Sequence, residues 1–111
     1  MINRCAVTIR AKEPFLTWLL SLPDYDDMTL DDVNEETTTY LLPVYDNDTE
    51  RDALFAQYFD LLFEEELAGW WMDKTHWPES RSLALFNHWF DVQFHSVVVD
   101  LEDAPLRDED E

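Results

Sequence analysis

Residues 4–11, RCAVTIRA, alternate with a period of two: Cys5, Val7, Ile9 and Ala11 point one way, and Arg4, Ala6, Thr8 and Arg10 the other. Within a few residues the period becomes helical. Phe15, Trp18, Leu19 and Leu22 recur at i, i+3, i+4 and i+7, Pro14 suits a first helical turn, and Pro23 ends the run. A strand with a single apolar face, followed at once by an amphipathic helix, needs a helical layer over that face.

Residues 37–44, TTTYLLPV, form a second β-branched and aromatic strand, with Pro43 marking an edge or a bend. The longest helix is expected over about 48–69. Its stripe is Leu54, Phe55, Tyr58, Phe59, Leu62 and Leu67, widened by Leu61 and Phe63, and Gly69, the only glycine, stands where a C-cap glycine belongs. Pro78 and the spacing of Leu83, Phe86, Trp89 and Phe90 predict another helix over about 78–90. The following run, DVQFHSVVVD, reads as a strand, with Val97, Val98 and Val99 apolar on both faces as in a central strand. The order is β-α-β-α-α-β. The expected fold is a single small α+β domain over residues 1–101, a three-stranded sheet with helices on one face.

Between the first helix and the second strand lies DYDDMTLDDVNEE, residues 24–36, with seven acids and no base. Thr29 and Asp32 have the spacing of a capping box, so one or two helical turns, or a short extra strand, are expected inside this acidic loop. Residues 102–111 carry six acids and one arginine and read as a solvated tail.

Charge narrows the partners. The chain of 111 residues has 26 acids and 7 bases, a formal net charge of −19. Arg4, Arg10 and Lys12 lie in the first twelve residues, which hold no acid, so residues 13–111 carry a net −22 (4 bases, 26 acids). Such a surface repels phosphate and disfavours direct binding to nucleic acid or to an anionic membrane, while attracting a basic protein or divalent cations. The hydrophobic share of 46% and aromatic share of 14% nonetheless supply a core, so disorder is not expected. Cys5 is the only cysteine, which excludes an intramolecular disulfide and suits a reducing compartment. The first residues lack the apolar run of a signal peptide, and no segment reaches the ~18 apolar residues of a membrane span. A cytoplasmic protein is expected.

Chemical motifs are sparse. Asp46, Asp48, Glu50 and Asp52 have the alternation of a calcium loop, but its required glycine and terminal glutamate are replaced by Arg51 and Gln57. Acids at the front of a helix explain these residues better. His76, His88 and His95 show no H-x-x-x-H spacing, and Cys5 has no cysteine partner, so no metal or cofactor is assigned. Ser96 and His95 are strand neighbours that point apart. His88 and Asp91 lie one turn apart, within reach of a structural contact. One glycine in the whole chain excludes glycine-rich phosphate cradles. No catalytic residue is assigned.

The remaining candidate is AGWWMDKTHWPESR, with Trp70, Trp71 and Trp77 in the connection between two helices. They either close the core or form an aromatic patch for a partner. Arg81 pairs with Asp73 or Glu79, or anchors a partner carboxylate. The candidate interaction surface is therefore Trp70, Trp71, Trp77 and Arg81 with the loop acids Asp26, Asp27, Asp31 and Asp32.

The strings NRCAVTIRAKEPFLTWL, FEEELAGWW and WPESRSLALFNHWFDVQFHSVVVDL together resemble a family of small uncharacterised bacterial proteins of about this length. The resemblance implies a compact bacterial cytosolic protein and brings no activity or site residues with it. The acidic segment 24–36 is its least typical part. The expected function is a non-catalytic acidic interaction module that binds a basic protein or a second copy of itself. The alternatives are a nucleic-acid mimic that inhibits a DNA-binding protein, an enzyme or metal protein with a His/acid site, and salt adaptation with no role for the charge in recognition.

Overall fold

The computed structural model describes residues 1–108. Strand β1, Cys5–Ala11, is followed by helix α1, Glu13–Leu20, and by a one-turn helix α2, Leu30–Val33. Strand β2, Thr39–Leu42, leads to the long helix α3, Asp48–Ala68. A single 3-10 turn, Lys74–His76, precedes helix α4, Leu83–Trp89, which runs directly into strand β3, Phe90–His95. The strands form an antiparallel sheet in the order β2-β1-β3. The α+β class and the element order follow the sequence reading, with α2 as the short helix anticipated in the acidic segment.

The sheet has one dry face. Cys5, Val7, Ile9 and Ala11 join Leu42 and Phe90 in a core completed by Phe15 and Leu19 of α1, Val33 of α2, Leu62, Phe63 and Leu67 of α3, and Phe86 of α4. Phe63 is fully buried and meets Phe86, Trp89 and Phe90 with ring centroids 5.3, 5.5 and 5.6 Å away. The opposite face carries the pairs Thr8–Gln93 and Arg10–Asp91 on one side of β1 and Thr8–Thr39 on the other. No charged or polar residue is buried among the described residues, as expected when water must solvate so many carboxylates.

Local signals decide where the elements begin and end. Thr29 accepts from the Asp32 backbone N–H while Asp32 accepts from that of Thr29, so the predicted capping box is formed. Asn47 caps α3 by accepting from Glu50 N–H at 2.8 Å, and Arg51 pairs with Asp48 and Asp52. The acids that mimic a calcium loop thus belong to a helix start.

Three expectations are corrected. The last helix starts after Ser82, whose hydroxyl accepts from Leu85 N–H at 3.1 Å, and not at Pro78. Helix α1 stops at Leu20, although Leu22 is still buried. Gly69, by contrast, is the C-cap of α3 as expected, with a right-handed φ of −62°. The valine run is not a central strand: β3 ends at His95, β1 occupies the centre, and Val97 and Val99 are exposed. One bond, from Ile2 N–H to Val98 O at 2.8 Å, extends the β1–β3 pairing past the strand ends. Three consecutive apolar residues can satisfy a strand pattern without a second layer to bury them, and here no layer covers the outer face.

Residues 102–108 are exposed and contain no helix or strand. The last three residues of the expected tail, 109–111, lie outside the described residues. No helix among the described residues is long and apolar enough to cross a membrane.

Candidate functional site

The tryptophan-rich connection is stitched to the body of the protein through its own polar groups. Trp18 Nε1 donates to His76 O at 2.8 Å, Trp71 Nε1 to His76 Nδ1 at 3.2 Å, and Trp77 Nε1 to Trp71 O at 2.8 Å. Tyr25 donates its hydroxyl to Trp70 O at 2.9 Å and packs edge-on against Trp70 and Trp71. Trp77 is buried, so this residue closes the core as one of the two sequence readings expected.

Arg81 faces neither Asp73 nor Glu79. Its Nε donates to Asp60 Oδ1 and its Nη2 to Glu64 Oε2, each at 2.7 Å, and its guanidinium lies 5.9 Å from the Trp77 ring centroid. Asp60 and Glu64 are four apart on α3 and offer a two-pronged acceptor that the planar guanidinium matches. Asp73 serves its own turn, accepting from Thr75 N–H and Oγ1 with His76 Nδ1 3.5 Å away. These Thr75 bonds, with a smaller contribution from His76, hold the Asp73 carboxyl below the usual carboxylate range. Trp77 and Arg81 are therefore occupied within the fold.

The other half of the candidate surface is different. Trp70 is half-buried and stands between two depressions. The first, of about 180 Å³, has an apolar floor of Ile9, Ala11, Phe15 and Val33 and a polar rim that includes Glu36, Thr37, Thr38, Glu65 and Glu66. The second, of about 420 Å³, is formed by Asp32, Val33, Glu35, Glu36 and Trp70. Five carboxylates from two separate segments thus line the two depressions that Trp70 also lines. Asp32 is the single member of the predicted acidic set that joins Trp70 here. Asp26, Asp27 and Asp31 are exposed on the loop and on α2.

The position of these acids in the fold matters as much as their number. The last turn of α3 contains no basic residue, and the helix ends beside Glu65 and Glu66. A helix carboxyl end already carries partial negative charge, so acids there are repelled and a cation is favoured. Arg81 neutralises Glu64, but among the described residues no ion pair reaches Glu65 or Glu66. Glu66 Oε2 instead accepts from Tyr40 Oη at 2.5 Å. Burial raises the Glu66 carboxyl above its ordinary range, with neighbouring Glu65 adding to the rise and the Tyr40 bond opposing it. Burial, then the Glu66 bond and charge, push the Tyr40 phenol up.

Asn34 builds the wall of the cleft. Its Oδ1 accepts from Ala11 N–H at 2.9 Å and its Nδ2 donates to Ala11 O at 3.0 Å. The pairing of β1 with β2 ends at Thr8–Thr39, so one side chain takes the place of a strand partner beyond it. This contact fixes the acidic segment 24–36 against the sheet.

The histidines occupy three different settings. His76 lies in the 3-10 turn beside Trp71, His88 in the last turn of α4, and His95 Nε2 is 3.2 Å from Thr8 Oγ1 on the outer face of the sheet. The anticipated His88–Asp91 contact is replaced by Lys12, whose Nζ is 3.7 Å from Asp91 and donates to Asn87 O at 2.8 Å. Among the described residues no three His, Cys, Asp or Glu side chains are grouped to hold a metal ion. Cys5 is buried, donates to Pro43 O at 3.4 Å, and has its thiol pushed up by desolvation.

The sequence reading missed Glu35, Glu36, Glu65 and Glu66 as site residues. A signal for the last two exists in FEEELAG: three acids directly before a helix end, where the helix dipole disfavours them. No family model, no curated protein and no solved structure matches this chain.

Proposed function

We propose that this chain is a non-catalytic interaction module that recognises a basic segment of a partner protein at the cleft around Trp70. The observation that carries the reading is the carboxyl end of α3, where Glu65 and Glu66 sit without a basic neighbour in the last turn. Glu36 faces the same depression and Trp70 forms its wall. A lysine or arginine entering this cleft gains the carboxylates, the helix end and the indole face together. Free of a partner, the same arrangement destabilises the fold by self-repulsion. Such an uncompensated cluster is understandable where a cation arrives from outside. Long-range attraction from the net charge of −19 would accelerate encounter and make it sensitive to salt.

The test is titration with hexa-arginine and hexa-glutamate peptides at low and at physiological salt, followed by tryptophan emission and calorimetry. Hexa-arginine should bind with a response reduced by salt, and hexa-glutamate should not bind. Joint replacement Glu36→Gln, Glu65→Gln and Glu66→Gln should weaken hexa-arginine binding about tenfold or more. If this variant binds as the parent does, the affinity belongs to diffuse surface charge and the cleft reading fails. The same pair of proteins, used side by side as baits, identifies partners that depend on the cleft.

A further inference from the structure

Strand β2 is an edge strand, paired only with β1. Among the described residues no backbone hydrogen bond outside the sheet reaches Thr39–Leu42 from its other side. Free strand edges are usually blunted by lysine or proline, or covered. Here Pro43 stops the edge at one end, but residues 37–42 contain no basic residue and no proline.

Helix α3 extends beneath this edge. Tyr58, Leu61 and Glu65 share one stripe of the helix, at i, i+3 and i+7, and Leu61 is 55% exposed. Together with Tyr40, Leu41 and Leu62 they bound a depression of about 280 Å³. It is apolar except at Glu65, and Glu65 also lines the acidic cleft. The two depressions therefore adjoin at Glu65: the apolar one lies against β2 and Leu61, and the acidic one against Thr37 and Thr38, just before β2, and Glu66. Leu61 and Glu65 are one helical turn apart, about 6 Å at 1.5 Å per residue. Alternate residues of a strand are about 6.7 Å apart on one face. An added strand lying over this stripe thus sets one side chain on Leu61 and the next on the same face at Glu65.

We infer that the basic partner segment binds in extended form as a fourth strand on the free edge of β2, with an apolar side chain over Leu61 and a lysine or arginine two residues away at Glu65 and Glu66. This inference rests on the recognition of basic segments proposed above and names the form in which the segment is bound. Main-chain hydrogen bonds to the edge supply affinity that is independent of side chain, and the alternating apolar and basic positions supply selectivity. A second copy of this chain is the poorer occupant, because it brings another net charge of −19 to a face already rich in carboxylates.

The probe is the peptide Thr-Val-Thr-Arg-Thr-Arg-Thr, acetylated and amidated. It is compared with two forms N-methylated at alternate residues, one for each strand edge, and titrated into the full chain by amide NMR. Binding should shift and protect from exchange the backbone amides of residues 38–42, with side effects at 58–66. One N-methylated form should lose affinity about tenfold while the other retains it. Leu61→Glu, at an exposed position, should weaken the parent peptide by a similar factor. Three outcomes overturn the inference. If the peptide binds and is sensitive to salt, but both N-methylated forms bind equally and β2 amides do not respond, strand addition fails while basic recognition stands. If neither this peptide nor hexa-arginine binds at low salt, the underlying reading fails with it. If edge amides are instead protected in a concentration-dependent dimer of the chain alone, the occupant is a second copy and not a basic partner.

Discussion

The hydroxyl of Tyr40 donates to Glu66 Oε2 at 2.5 Å and so ties the edge strand to the last turn of α3. This bond secures a carboxylate at a position where burial and the helix end both oppose its charge. Glu66→Gln keeps an acceptor for Tyr40 and removes the charge. The variant should therefore be more stable than the parent at neutral pH, by about 0.5–1 kcal/mol on the usual scale of helix-end charge effects.

The pH dependence of that gain has a definite sign. Because the Glu66 carboxyl is raised in the folded state, the folded chain holds its proton to higher pH than the unfolded chain, whose value is near 4.5. Its favourable contribution is fully present below that value and is lost as pH rises through the folded pKa. The advantage of Glu66→Gln should thus be greatest near pH 7 and vanish as the pH falls through about 4.5, as read by urea unfolding of both proteins across this range. An advantage that grows on acidification would contradict the assignment. The same substitution should weaken binding of hexa-arginine, so stability and recognition move in opposite directions at one residue.

Asn34 gives a second separable prediction. Its amide satisfies both backbone groups of Ala11, a buried residue at the end of β1. Asn34→Ala leaves the N–H and the carbonyl without these partners and should cost about 1–3 kcal/mol. Asn34→Asp retains the acceptor for Ala11 N–H but turns an oxygen toward Ala11 O, so it should recover only part of the loss. Thermal unfolding measures both. Equal stability of all three proteins would mean that water replaces the amide without cost.

How far the sequence discloses this fold depends on whether a signal is local. The alternation of Cys5, Val7, Ile9 and Ala11, the capping box at Thr29 and Asp32, and the stripe of α3 are properties of a few neighbouring residues, and each appears as expected except at Leu61, which was expected to widen the stripe and is instead 55% exposed. The start of α4 was misplaced because Pro78 and Ser82 are both acceptable first-turn signals, and only the Ser82 hydroxyl bond decides between them. The valine run misled because a strand pattern states what a segment tolerates, not whether a second layer exists to cover it. Of the candidate surface, Trp70 and Asp32 come together, whereas Trp77 and Arg81 turn inward to partners on the fold. Arg81 meets Asp60 and Glu64 across a separation of 21 and 17 residues, and Asn34 meets Ala11 across 23. Such pairs are set by the packing of whole elements, which no local period encodes.

Arg81 itself should be structural. Its side chain is 18% exposed and bridges two acceptors on α3 while stacking near Trp77. Arg81→Ala leaves Asp60 and Glu64 facing each other's charge with no cation between them. Since both carboxylates are partly solvated, the loss should be about 1–2 kcal/mol and not the larger cost of a fully buried pair. Arg81→Lys offers a single ammonium in place of the fork and should restore less than half. Chemical denaturation at low and high salt is the appropriate measurement. A loss that persists at high salt reports the lost packing of the stem and the ring, and a loss that disappears reports charge alone.

Trp70 and Trp77 separate recognition from folding within one connection. Trp77 is 8% exposed, and its indole N–H donates to Trp71 O. Trp77→Ala removes a buried ring and a bond that fixes the connection, and should cost about 3–5 kcal/mol, enough to threaten folding. Trp77→Phe keeps most of the ring and should cost about 1–2 kcal/mol, chiefly through the stranded Trp71 carbonyl and the smaller volume. Trp70 is half-buried, and the hydrogen bond it accepts from Tyr25 is made by its backbone carbonyl, which any residue supplies, while its ring packs edge-on against that of Tyr25. Trp70→Ala should therefore cost only about 1–2 kcal/mol from lost ring packing against Tyr25, yet reduce binding of hexa-arginine by severalfold through loss of the cation–π wall. Unfolding and peptide titration on the three variants give a cross-over: Trp77→Phe impairs stability with affinity preserved, and Trp70→Ala impairs affinity beyond its effect on stability. If Trp70→Ala binds hexa-arginine as tightly as the parent, the indole is part of the scaffold, and the carboxylates at the end of α3 act without it.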